Sequence, residues 1–202
     1  MALDDGPRRY ALLPIASIVA AATLVMIGLQ AAPAAWQEAL RYDRAAVGAG
    51  AWWRLVTGNF VHLGWQHLAL NLAGLWLGTW LFGADRSPRQ WLAATLVTAF
   101  TTGAGLWLFN PSVFWCVGLS GVLHGMMIIG LGGWARAGDR VACGLLALVV
   151  GKMAWEQAGG DMPWADSLAG GRVVTAAHVW GACGGGAFLA AATIWKGRIA
   201  RV

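Results

Sequence analysis

The chain has 202 residues, of which 58% are hydrophobic and only 11% are Asp, Glu, Lys or Arg, against about 25% charged in an ordinary soluble domain. That composition excludes a water-soluble globule, and several apolar runs of about 20 residues describe a chain carried in lipid almost end to end. The net charge of +5 does not imply nucleic acid, because the basic residues stand singly or in pairs beside apolar runs, where they act as topological anchors.

The first apolar run, 11–31, follows Arg8 and Arg9 and precedes small residues from Ala31 to Ala35, a pattern shared with secretory signal peptides. Its apolar stretch from Tyr10 to Leu29 exceeds the roughly 7 to 15 residues of a signal core, so a retained span is expected. Residues 32–60 form a long connection with Trp36, Trp52 and Trp53, amphipathic enough to lie partly in the outer interface. Five more runs follow at 61–82, 89–109, 114–135, 140–158 and 173–195. Backbone in hydrocarbon must satisfy its own hydrogen bonds, so each run is expected to be a helix. Neither a repeat nor a low-complexity linker interrupts them. The expected fold is an all-α membrane protein, a bundle of six transmembrane helices in a single domain, 1–202. Cys116, Cys143 and Cys183 form no CxxC pair and are expected to be packing residues rather than a disulfide or zinc framework.

Charge asymmetry sets a direction for the bundle. With the N-terminus cytoplasmic, that side collects Arg8, Arg9, Arg86, Arg89, Arg136, Arg140, Lys196, Arg198 and Arg201, while the outer side receives Arg41, Arg44, Arg54, Lys152 and Arg172. Nine against five favours both termini inside.

All the histidines, His62, His67, His124 and His178, fall within the expected spans, accompanied by Asn71 and Ser120. Ionisable groups in hydrocarbon are costly, which makes such positions functional candidates. At about 1.5 Å per residue, His67 and Asn71, Ser120, and His178 all lie in the outer half of three different spans. A serine hydroxyl needs a base to take its proton, and imidazole is the usual one. Ser120 and His178 supply that pair. Charge developing on an attacked carbonyl needs donors already in place; His67 and Asn71, four apart on one helical face, and backbone N–H groups at Ser120 and Gly121 offer them. No acidic residue lies near His178 within its own run, so a dyad without a carboxylate is expected. Gly118 and Gly121 flank the serine, and Gly181 and Gly185 follow the histidine at helical spacing, permitting close helix crossings. Taken singly, a Gly-Leu-Ser-Gly stretch is ordinary helix packing, and Val122 excludes the GxSxG elbow of soluble hydrolases.

In this order the motifs resemble the rhomboid intramembrane serine proteases. The matching residues are His62-x4-His67-x3-Asn71, Gly118-Leu119-Ser120-Gly121 and Ala177-His178-x2-Gly181-x3-Gly185, with Trp53-Arg54 in the first outer loop. The resemblance implies Ser120 as nucleophile, His178 as general base, and His67 and Asn71 in the oxyanion site. It makes His62 a structural partner of that network and gives Trp53 and Arg54 a part in seating the outer loop; a snorkelling role for Arg54 is equally open. Rhomboids often carry Tyr four residues after the serine. Here that position is His124, expected beside His178 as an orienting or packing group. The run Ser120 to Gly125 and Lys152-x3-Glu156 are similar to the rhombosortase branch. That similarity implies a bacterial inner-membrane protein opening to the periplasm, with substrates whose C-terminal tail carries Gly-Gly, a transmembrane helix and a short basic end. Glycine disfavours helix by about 1 kcal/mol relative to alanine, so such a tail unwinds easily into a site. Lys152 and Glu156 are expected to form an ion pair near the outer end of their helix, with Glu156 facing the substrate route as the other reading. Membrane lipid and transmembrane protein substrates are the expected partners; no cofactor or metal is expected. Two other classes remain open: a rhomboid-like binder that holds clients without cutting them, and a haem or metal membrane protein with His124 and His178 as axial ligands.

Overall fold

A computed structural model describes residues 6–160 and 165–199. Arg201 lies outside them, as do the side chains of Arg8, Arg9, Lys196 and Arg198, so the inner-face anchors at the chain ends lie outside the described residues. The elements in chain order are α1 (Gly6–Ala31), α2 (Ala34–Leu40), β1 (Tyr42–Asp43), α3 (Arg44–Gly48), α4 (Arg54–Thr57), α5 (Trp65–Phe82), α6 (Pro88–Phe109), β2 (Trp115–Cys116), α7 (Ser120–Arg136), α8 (Arg140–Gln157), α9 (Ala165–Ala169) and α10 (Ala176–Ile199). Among the described residues the protein is all-α apart from one two-residue ladder. Leu12–Ala31 and α6 are long and apolar enough to cross a membrane.

Local chemistry explains several starts. Ser87 and Gln90 form a reciprocal capping box at α6 with Pro88 in the first turn, and Asp139 caps α8 by accepting from the N–H groups of Val141 and Ala142. Such caps satisfy donors that the helix itself leaves open.

Three expected helices begin later than hydropathy suggested, among them the run 173–195, which becomes helical at Ala176. The run 61–82 becomes helical only at Trp65, which leaves His62 in the segment before α5. The run 114–135 divides. Trp115 and Cys116 pair antiparallel with Asp43 and Tyr42, and helix begins at Ser120. Gly118, with φ +115°, makes the turn between them in a region that L side chains disfavour. The 17 residues of α7 therefore reach about 26 Å. The outer connection is likewise more ordered than a loop. Arg54 donates to the carbonyls of Glu38 and Arg41 at 2.8 and 3.0 Å, and Thr57 to Leu40 at 2.6 Å, fastening α4 to the open end of α2. These bonds hold the Arg54 guanidinium on the connection itself.

At the centre is α7, touching α5, α6, α8 and α10. Its Val122, Met126, Ile129 and Leu131 pack with Leu68, Leu75 and Phe82 of α5, Ala94 and Ala99 of α6, and Ile15 and Met26 of α1. The closest crossing is with α10. A Cβ on Gly181 would overlap the carbonyl of Gly121, and one on Gly185 that of Gly125, so backbone lies on backbone there, as small residues permit in membranes. The exterior carries exposed Leu13, Leu24, Trp80, Leu92, Phe100, Leu148 and Trp155, an apolar surface that suits lipid and not water.

Candidate active site

The crossing of α7 on α10 brings the first residue of one helix against the first turn of the other. Ser120 Oγ lies 3.1 Å from His178 Nε2. Both line a cavity of about 280 Å³ together with His67 and Asn71 from α5, Lys152 and Glu156 from α8, Leu168 and Ala169 from α9, and Val173.

On the α5 side, the N–H of Leu63 points to His67 Nδ1 at 3.4 Å, which leaves the proton on Nε2. That nitrogen faces the turn before Ser120, since a Cβ on Gly118 would lie 2.8 Å from it. Gly118 is thus required both for its φ and for room beside the imidazole. Asn71 donates one amide hydrogen to the His67 carbonyl at 2.9 Å and has a second. The first N–H groups of α7, at Ser120 and Gly121, belong to the turn whose donors lack an intrahelical acceptor. His62 is buried behind His67, its ring edge-on at 5.2 Å between centroids.

On the other side, His124 stacks on His178 with centroids 4.1 Å apart and planes inclined by 15°. Face-to-face rings at that spacing leave no room for a haem between them. His124 Nδ1 lies 2.7 Å from the Ser120 carbonyl and its Nε2 3.0 Å from Lys152 Nζ. Lys152 and Glu156 form an ion pair at 2.8 Å. Glu156 does more, since its Oε2 is 3.0 Å from His178 Nδ1, with its side chain 4% exposed. The expectation of a serine and histidine without a carboxylate is corrected here. The acidic partner comes from α8, 22 positions before the histidine, where inspection of α10 alone cannot find it.

Trp53 and Arg54 stand apart from the cavity; Trp53 is exposed, its indole N–H directed to the Ala39 carbonyl at 3.4 Å. Cys116 offers no competing nucleophile. Burial pushes its thiol up to about 12, and the thiolate is the reactive form.

Residues 49–196 match the family described as Rhomboid domain. The chain is also 30% identical over 89 residues to the rhomboid protease GluP of Bacillus subtilis (strain 168), a match covering 42% of this chain and 16% of that protein. Because the domain match takes in every element that builds the cavity, the chain belongs to the rhomboid family of integral membrane proteins.

Proposed function

We propose that the protein is an intramembrane serine endopeptidase in which Ser120 attacks and His178 is the base. The observation that carries this reading is the 3.1 Å approach of Ser120 Oγ to His178 Nε2 within a cavity. His178 Nε2 takes the hydroxyl proton as Oγ bonds to the scissile carbonyl carbon. The same proton then passes to the departing amine, and water repeats the sequence on the acyl-enzyme. His67, Asn71 and the N–H groups of Ser120 and Gly121 receive the oxyanion. The α1, α5, α6, α7, α8 and α10 helices cross the membrane as one domain, 1–202, with both termini cytoplasmic, and the cavity opens to the periplasmic side of a bacterial inner membrane.

The substrates are transmembrane segments of exported proteins, in the rhombosortase manner C-terminal tails bearing Gly-Gly. Two features support this choice. Ser120 to Gly125 and Lys152-x3-Glu156 carry the resemblance to that branch, and a glycine pair gives an extended strand at low cost. Co-expression with a Gly-Gly-tailed reporter tests it. Release from the membrane with the wild type and none with Ser120→Ala or His178→Ala, both accumulating normally, is expected. Cleavage by either variant would refute the pair. Cleavage only of reporters lacking Gly-Gly would assign a general rhomboid protease, and tight reporter binding without any cleavage a client-holding protein.

A further inference from the structure

Glu156 and Lys152 supply the observation that the serine and histidine by themselves leave unused. His178 Nδ1 has two close neighbours of opposite character: the Glu156 carboxylate at 3.0 Å and the Lys152 ammonium at 3.3 Å. A carboxylate only accepts and an ammonium only donates, so the single position on Nδ1 serves one of them. If Lys152 donated there, Nε2 would carry the proton and turn an N–H toward Ser120. The Nδ1 lone pair would then face the lone pairs of Glu156 at 3.0 Å. If Nδ1–H donates to Glu156, Nε2 presents its lone pair to the serine hydroxyl, and the Lys152 ammonium, longer at 3.3 Å from Nδ1, turns its hydrogens to His124 and Glu156 instead.

The rest of the network closes only in the second arrangement. The Ser120 carbonyl accepts from His124 Nδ1–H at 2.7 Å, which leaves His124 Nε2 as the acceptor for Lys152 at 3.0 Å. Lys152 gives another hydrogen to Glu156 Oε1 at 2.8 Å. Both carboxylate oxygens, both rings and the ammonium are then satisfied. Among the described residues, His67 is the remaining titratable group facing the cavity, and it stands on the serine side.

We propose that Glu156 is a positioning residue for His178, holding the Nδ1–H tautomer and meeting the imidazolium that forms when the Ser120 proton arrives at Nε2. Lys152 keeps the buried carboxylate ionised and turned toward the ring, and His124 fixes Lys152 and the plane of His178. The site is therefore a serine–histidine–glutamate array assembled from α7, α10 and α8, resting on the serine–histidine reading above. Glu156 keeps its charge throughout and acts through His178.

The experiment uses the full-length protein in detergent and a fluorophosphonate probe, whose phosphorus bonds to Ser120 Oγ as fluoride leaves and the hydroxyl proton passes to His178. Wild type labels and Ser120→Ala does not; labelling of Ser120→Ala, or none of the wild type, would refute the serine–histidine reading and not this one. With that established, Glu156→Gln is expected to lower the labelling rate at saturating probe by about 10²-fold or more with the half-saturating concentration unchanged, the thermal midpoint falling because the Lys152 ammonium loses its partner, and Glu156→Asp to recover part of the rate. Labelling of Glu156→Gln at the wild-type rate would overturn the proposal. A second measurement needs no variant. Nitrogen-15 spectra of the histidine-labelled wild type are expected to show His178 protonated at Nδ1, and protonation at Nε2 alone would overturn it equally.

Discussion

Asn71 gives one amide hydrogen to its own helix and turns the same group toward the cavity that holds Ser120. As an oxyanion donor it contributes only once charge develops on the substrate, so its loss falls on turnover rather than on binding. Asn71→Ala is expected to lower kcat by about 10²- to 10³-fold with little change in KM, measured on a cleavable transmembrane reporter. A change confined to KM would place Asn71 among the substrate contacts instead. The polar residues of the site were visible in the sequence because each interrupts an apolar run. Their partners were less so. Lys152 and Glu156 could be paired at helical spacing, but the contact of Glu156 with His178 spans a helix crossing that no local pattern encodes.

The crossing itself belongs to the scale of elements. Gly121 and Gly125 of α7 lie against Gly181 and Gly185 of α10, and this approach sets the distance from Ser120 to His178. Gly181→Val places a branched side chain where the Gly121 carbonyl stands. It is expected to destabilise by about 1–3 kcal/mol and to abolish fluorophosphonate labelling by parting the two helices. Gly186→Ala, on the same helix with nothing within 4 Å of its Cβ, is expected to change neither. A thermal midpoint and a labelling rate for the two variants check the contrast. Helix spacing of these glycines was legible in the sequence; the late start of α7 was not. Phe114, Trp115, Cys116 and Val117 have the hydropathy of a helix, but Trp115 and Cys116 find strand partners in Asp43 and Tyr42, and Gly118 turns the chain before Ser120.

For the whole molecule, direction across the bilayer rests on the distribution of Arg and Lys, nine at one end of the runs and five at the other. A green fluorescent protein fused to the C-terminus is expected to fluoresce, because that protein matures in the cytoplasm and not after export unfolded. A dark, stable fusion would reverse the assignment. The same bundle that turns Trp80, Leu92 and Leu148 outward holds a cavity lined from α5, α7, α8, α9 and α10.

Hydropathy, charge and residue spacing are local quantities, and they suffice for the lipid-borne character of the chain, the approximate runs, and the serine, histidines and asparagine that interrupt them. Which nitrogen of His178 meets which partner depends on three helices meeting at one level. A separation of 22 positions between Glu156 and His178 becomes 3.0 Å only through packing of α7 against both α8 and α10. That contact, the strand that delays α7, and the stacking of His124 were decided in three dimensions, because each depends on atoms brought together by elements other than their own.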